Sequence, residues 1–160
     1  MFGRMIIAVG LIAVGGADAF AMQILVREEA PTDRAADFPL AELEATFRQM
    51  DADGLSTVRL LEGGTYNVNI RRLRGAETAL VHEITSDVYV VREGSGTLVT
   101  GGTLVDENGA AVDGSRGAAI RDGVTRVITV GDVIFIPAGV PHGIRDSDGM
   151  TWLNIRFDTR

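Results

Sequence analysis

Residues 57–157 form a succession of short runs rich in Val, Ile, Thr and Tyr, broken by glycine-containing turns, with no stretch suited to a crossover helix. Parallel neighbours would need such crossovers, so the pattern predicts an all-β antiparallel sandwich or closed barrel. The expected strands are 57–61, 66–73, 79–82, 88–92, 96–100, 118–121, 126–130, 133–136, 143–145 and 151–157. The longest break, 101–117, reads as an inserted flap with Asp106-Glu107-Asn108-Gly109 at a hairpin tip. A chain of 160 residues provides one ordinary core rather than two.

Ahead of the strands, Pro39 stands where a first helical residue is favoured, and Leu40, Leu43, Phe47 and Met50 recur at spacings of three and four. This predicts a short amphipathic helix packed on the barrel. Asp51, Asp53 and Glu62 fall at the first, third and twelfth places of a calcium loop. Leu55 and Ser56 then occupy places that need an oxygen donor and a glycine, which argues against calcium there.

The N-terminus reads as a processed leader. Arg4 precedes an apolar run from Met5 to Ala17 that is too short to span a bilayer, and Ala19-Phe20-Ala21 supplies the small-x-small pattern of a cleavage site. The expected organisation is a signal peptide over 1–21, a lead-in with the short helix over 22–54, and the barrel over 55–160. Periplasmic or secreted localisation follows, with no stable membrane anchor after cleavage. The chain has no cysteine, so neither disulfides nor thiolate metal ligands are available. Arg4 and Asp18 cancel within the leader, so its removal leaves the net charge at −7. An acidic chain lacks the basic face that nucleic acid or an anionic membrane demands, and a small molecule is the expected partner.

The chain has only two histidines, His82 and His142, each at the edge of an expected strand. His142 follows Gly131, Pro137 and Gly139, which bend the chain so that the next side chain can aim into a barrel mouth. His82 and Asp87 lie an odd offset apart, so they converge only if residues 83–86 turn or bulge. Glu83 points away from His82 in an extended chain and ranks behind Asp87. If Asp87 faces inward, strand alternation turns Tyr89 and Val91 inward too. By the same parity Asn67, Asn69 and Arg71 share one face of their strand, as do Trp152, Asn154 and Arg156 of the last. Either set could line a cavity or face solvent.

Residues 131–146 resemble the second cupin motif, G-x5-P-x-G-x2-H-x3-N, at every position except the last, where Asp146 replaces Asn. Residues 80–94 are similar to the first, G-x5-H-x-H-x3-4-E-x6-G, with His82 as second histidine, Asp87 in place of Glu, and Gly94 closing. Leu80 occupies the place of the first histidine, and Gly75 supplies the opening glycine one place off. The resemblance covers about Tyr66 to Phe157 and implies a small, single-domain member of the cupin superfamily with a jelly-roll-like antiparallel β-barrel. Full-pattern cupins bind a divalent metal through three histidines and a glutamate. The corresponding set here is His82, Asp87 and His142, which independently suits Fe(II), Zn, Mn or Ni with positions left open.

The leading functional expectation is a metal-dependent enzyme acting outside the cytoplasm on a small, carbohydrate-derived or carboxylated molecule. Tyr89 would assist proton transfer as the catalytic phenol or hydrogen-bond a substrate oxygen, and lyase, isomerase and dioxygenase chemistries all stay open. The alternatives are a non-catalytic small-ligand-binding module, favoured by Leu80, and a structural role through homodimerised barrels. The leader makes its own prediction: protein exported from a Gram-negative host should have the intact mass of a chain starting at Met22, or secondarily at Phe20. Full-length chain confined to the cytoplasmic fraction would contradict it.

Overall fold

The computed structural model describes residues 25–111 and 113–159, so the expected leader over 1–21 and residues 22–24 lie outside the described residues. The order is β1 (Leu25–Glu29), α1 (Leu40–Asp53), β2 (Thr57–Glu62), β3 (Tyr66–Leu73), β4 (Ala79–His82), β5 (Thr85–Glu93) and β6 (Ser95–Thr100). Then follow β7 (Thr103–Ala111), β8 (Gly114–Arg121), β9 (Val124–Thr129), β10 (Val133–Ile136), β11 (His142–Ser147) and β12 (Met150–Asp158). They form two six-stranded sheets, ordered β1-β2-β3-β12-β5-β10 and β7-β8-β4-β11-β6-β9.

Among the described residues all strand pairings are antiparallel except one. β1, within the expected lead-in, adds to the edge of the first sheet parallel to β2, with Leu25 opposite Val58. Its connection to β2 contains α1, the helical crossover that parallel pairing requires. The expected flap is instead a long hairpin of β7 and β8. Its turn does not fall at Asp106–Gly109, because Ala111 pairs with Gly114 and the register shift between Glu107 and Gly109 marks a bulge. Asp106 carries the positive φ there, 50°, so the Asn-Gly signal encodes a bend within β7 rather than its end.

Strand alternation divides the apolar residues between two clusters. Leu43, Phe47 and Met50 of α1 pack with Val58, Leu60 and Ile70 of β2 and β3 on the outer face of the first sheet. The inner faces of both sheets meet through Tyr89, Val91, Leu98, Ile128, Ile136, Ile144, Met150 and Trp152. Because Ile70 faces the helix, its neighbours Asn69 and Arg71 face the opposite way, into the barrel. Among the described residues no helix is long and apolar enough to cross a membrane.

Phe47 is 4% exposed and bridges α1 to the sheet. Phe47→Ala should lower the unfolding free energy by about 3–5 kcal/mol in chemical denaturation, through lost transfer energy and the cavity left behind. A loss under about 1 kcal/mol would mean that the helix contributes little to the core.

Candidate metal centre

His82 ends β4, Asp87 lies in β5 of the facing sheet, and His142 opens β11. The chain turns at Glu83 and Ile84 between β4 and β5, the turn that convergence of His82 and Asp87 requires. Asp113, in the β7–β8 turn, fastens it. The Glu83 N–H donates to the Asp113 backbone carbonyl at 2.7 Å, and the Ile84 and Thr85 N–H groups donate to Asp113 Oδ2 at 3.2 and 2.9 Å. The hairpin reaches this place because Gly114 presses on β4, where a Cβ would collide with the Val81 carbonyl. Glu83 itself is exposed, as expected of the weaker ligand candidate.

The second-motif loop clasps the other side. Gly139, at φ 81°, donates its N–H to the His82 carbonyl at 2.6 Å, and the Ala138 N–H donates to Ser86 Oγ at 3.0 Å. His142 then enters β11 opposite Leu80, two residues from His82 on the same strand face. The two imidazole centroids are 5.7 Å apart.

Hydrogen bonds assign the tautomer of each neutral ring. His82 Nδ1 donates to Asp113 Oδ1 at 2.5 Å, and His142 Nδ1 donates to the Val140 carbonyl at 2.9 Å. In that tautomer each Nε2 carries the lone pair. Both face Asp87 Oδ2, at 3.8 Å from His82 and 3.5 Å from His142. All three residues are at least 97% buried at their side chains, and Asp87 Oδ2 makes no hydrogen bond among the described residues. A buried carboxylate oxygen without a donor, facing two imidazole lone pairs, fits a divalent cation. The three ligand atoms lie within 4.8 Å of one another. Burial, and after it the Arg156 guanidinium, hold the His82 imidazolium below the usual histidine range, which favours the neutral, ligating ring.

The inner face of the first sheet is a polar grid. Across β3, β12 and β5 the rows read Asn67, Arg156, Asp87, then Asn69, Asn154, Tyr89, then Arg71, Trp152, Val91. Both parity sets therefore line the interior. Arg156 Nε donates to Asp87 Oδ1 at 3.1 Å, and its Nη2 lies against His82 Nε2. Tyr89 is buried beside the ligands, its ring 6.3 Å from that of His142 and 5.6 Å from Trp152. Burial and then the Asp87 carboxylate push its phenol well above the ordinary range, so it carries its proton. Burial alone would raise the Asp113 carboxyl, but hydrogen bonds from Thr85 and Ile84 and the nearby His82 outweigh it and hold it below the usual range.

No protein-family model matches the chain, and no curated protein matches it. Solved structures do. BH2720 from Bacillus halodurans aligns over 82% of this chain and 86% of its own, at 14% identity and a TM-score of 0.52. A cupin protein from Bacteroides fragilis aligns over 59% of this chain and 67% of its own (17% identity, TM-score 0.43). A cupin-2 domain protein from Shewanella frigidimarina aligns over 59% and 72% (22% identity, TM-score 0.40). The chain has the cupin fold. Within it, His82, Asp87 and His142 come together as the motif positions imply, and Leu80 faces the same space.

Two residues of this site were not assigned from the sequence, Asp113 and Arg156. Asp113-Gly114 carries a turn signal, but nothing local joins it to a histidine 31 positions away. Arg156 lies on a face the sequence identifies without saying which way it points. Because Asp113 fixes both the tautomer and the orientation of His82, Asp113→Ala should weaken Zn(II) affinity about 10–100-fold in calorimetric titration. An unchanged affinity would remove His82 from the metal site.

Proposed function

We propose that this cupin is a metal-dependent enzyme acting on a small molecule outside the cytoplasm. The observation that carries the proposal is Asp87 Oδ2, buried and unpartnered between two imidazole Nε2 atoms. His82, Asp87 and His142 would hold the ion, Fe, Zn, Mn or Ni by donor type, and leave positions open. Bound there, the ion would supply Lewis-acid or oxygen-binding chemistry of the kind used by lyases, isomerases and dioxygenases. Asp113 keeps the His82 lone pair aimed at the site. Tyr89 Oη, protonated and buried, donates a hydrogen bond to a substrate oxygen or gives up its proton once strong negative charge develops there. Export rests on the leader. Pairing of two barrels is part of the proposal, supported by Val133 and Phe135, which are 67% and 58% exposed on the edge strand β10.

A second reading has its own observation. Arg156 already neutralises Asp87 without an ion, as suits a non-catalytic module that captures a small ligand. Elemental analysis of protein purified without a histidine tag separates the two: the enzyme reading expects near-stoichiometric divalent metal, and the module expects none with a ligand still bound. In the enzyme reading the His82→Ala, His142→Ala double variant loses the metal. Leu80→His should tighten Zn(II) or Ni(II) affinity, since residue 80 faces His142 across the β4–β11 pair. Occupancy that survives the double variant would eliminate this site.

A further inference from the structure

Arg156 stands between two regions. Toward the interior its guanidinium donates to Asp87 Oδ1 and to the His82 Nε2 lone pair, so it occupies two of the groups a cation would use. Toward the outside it forms, with Asp113, part of the wall of a cavity of about 430 Å³ that also includes Arg59, Tyr66, Asn67 and Asp158. That volume suits a small molecule. The other charges on the wall are engaged. Arg59 pairs with Glu62, Asp113 holds His82 and the N–H groups of the turn, and Asp158 accepts from Thr85 Oγ1 at 3.2 Å. Arg156 alone has a carboxylate partner that a metal ion would take from it.

A divalent ion and the guanidinium cannot both hold these groups. They compete for the same lone pair on His82, and like charges in a buried site repel. We propose that Arg156 is an exchangeable counter-ion: it neutralises Asp87 in the metal-free protein and, displaced by a divalent ion, turns its fork into the neighbouring cavity to bind a substrate carboxylate. The inference rests on the metal reading above and adds the substrate class. A planar fork matches a carboxylate with two parallel hydrogen bonds. Glu62, Asp113 and Asp158 on the wall oppose a doubly charged phosphate more than a singly charged carboxylate. Asn67, whose oxygen accepts from Asn69 Nδ2 at 2.5 Å, keeps its own amide N–H groups for the ligand.

Metal and carboxylate binding are then coupled, and by linkage each strengthens the other by the same factor. Calorimetric titration of the wild-type chain with propionate, with and without saturating Zn(II), measures that factor, which should be about 10-fold or more. Arg156→Gln should bind Zn(II) about 10-fold more tightly than wild type, having lost the competitor, and show no coupling. Arg59→Gln removes a cavity cation without touching Asp87 and should change Zn(II) affinity by less than about 3-fold. If Arg156→Gln does not fold, Arg156→Lys, which keeps the charge and loses the fork, should reduce the coupling below about 3-fold.

Zn(II) binding with propionate affinity unchanged would overturn the inference and leave the metal reading standing. Coupling that persists in Arg156→Gln would overturn it too, by putting propionate on the ion itself. Zn(II) bound by Arg156→Gln but not by wild type would make Arg156 a permanent counter-ion, and no binding by either protein would end both readings.

Discussion

An ionised carboxylate buried at the centre of a protein demands a cation or several hydrogen bonds, and Asp87 is 1% exposed with, among the described residues, one oxygen bonded only by Arg156 and the other by nothing. The rest of the site is arranged around that demand. Facing sheets bring the two histidines to Asp87 from across the barrel, and the last strand brings a guanidinium alongside it. Whatever cation sits at Asp87 decides where Arg156 goes, and so decides whether the cavity beyond Arg156 holds a free anion-binding group.

Two remote segments hold the site in shape. The β7–β8 turn places Asp113 so that one side chain fixes the turn after β4 and the tautomer of His82 at once. The loop 137–141 holds the His82 carbonyl and Ser86 from the other direction. His82 is therefore clamped through its backbone and its ring by different parts of the chain. A ligand so fixed loses little further freedom on binding an ion.

Much of this was legible in the sequence, for identifiable reasons. Strands 66–73, 79–82 and 133–136 match the structure residue for residue, since alternation and turn residues both mark them. The cluster of His82, Asp87 and His142 followed from motif spacing, and the inward turn of Tyr89 from period-two geometry. What was not legible depended on contacts distant in sequence. β1 is a strand only because β2 offers it an edge, and the Asn108-Gly109 signal points to a hairpin end that is not there because the same residue types serve a bulge as readily. Asp113 acquires its role only when the hairpin folds over β4.

Stability is not what the inner face of the first sheet maximises. Besides Asp87 Oδ2, the buried atoms Asn154 Oδ1, Trp152 Nε1, Arg71 Nε and Thr57 Oγ1 on this face, and Arg72 Nε on the opposite one, make no hydrogen bond among the described residues. Each such group costs about 1–3 kcal/mol relative to a partnered one. Those on the inner face are not scattered: register sets Arg71 beside Trp152, Asn69 and Tyr89 beside Asn154, and Asp87 beside Arg156. Apolar residues on these strands would pack the barrel more cheaply, as the outer face does with Val68, Ile70 and Leu153 against α1. A sheet that packs mainly apolar residues against its helix and carries most of its unpartnered donors and acceptors towards its interior has given up core energy where a metal and a polar ligand would return it. On that ground the interior, rather than the exposed strand edge, is where the proposed chemistry belongs.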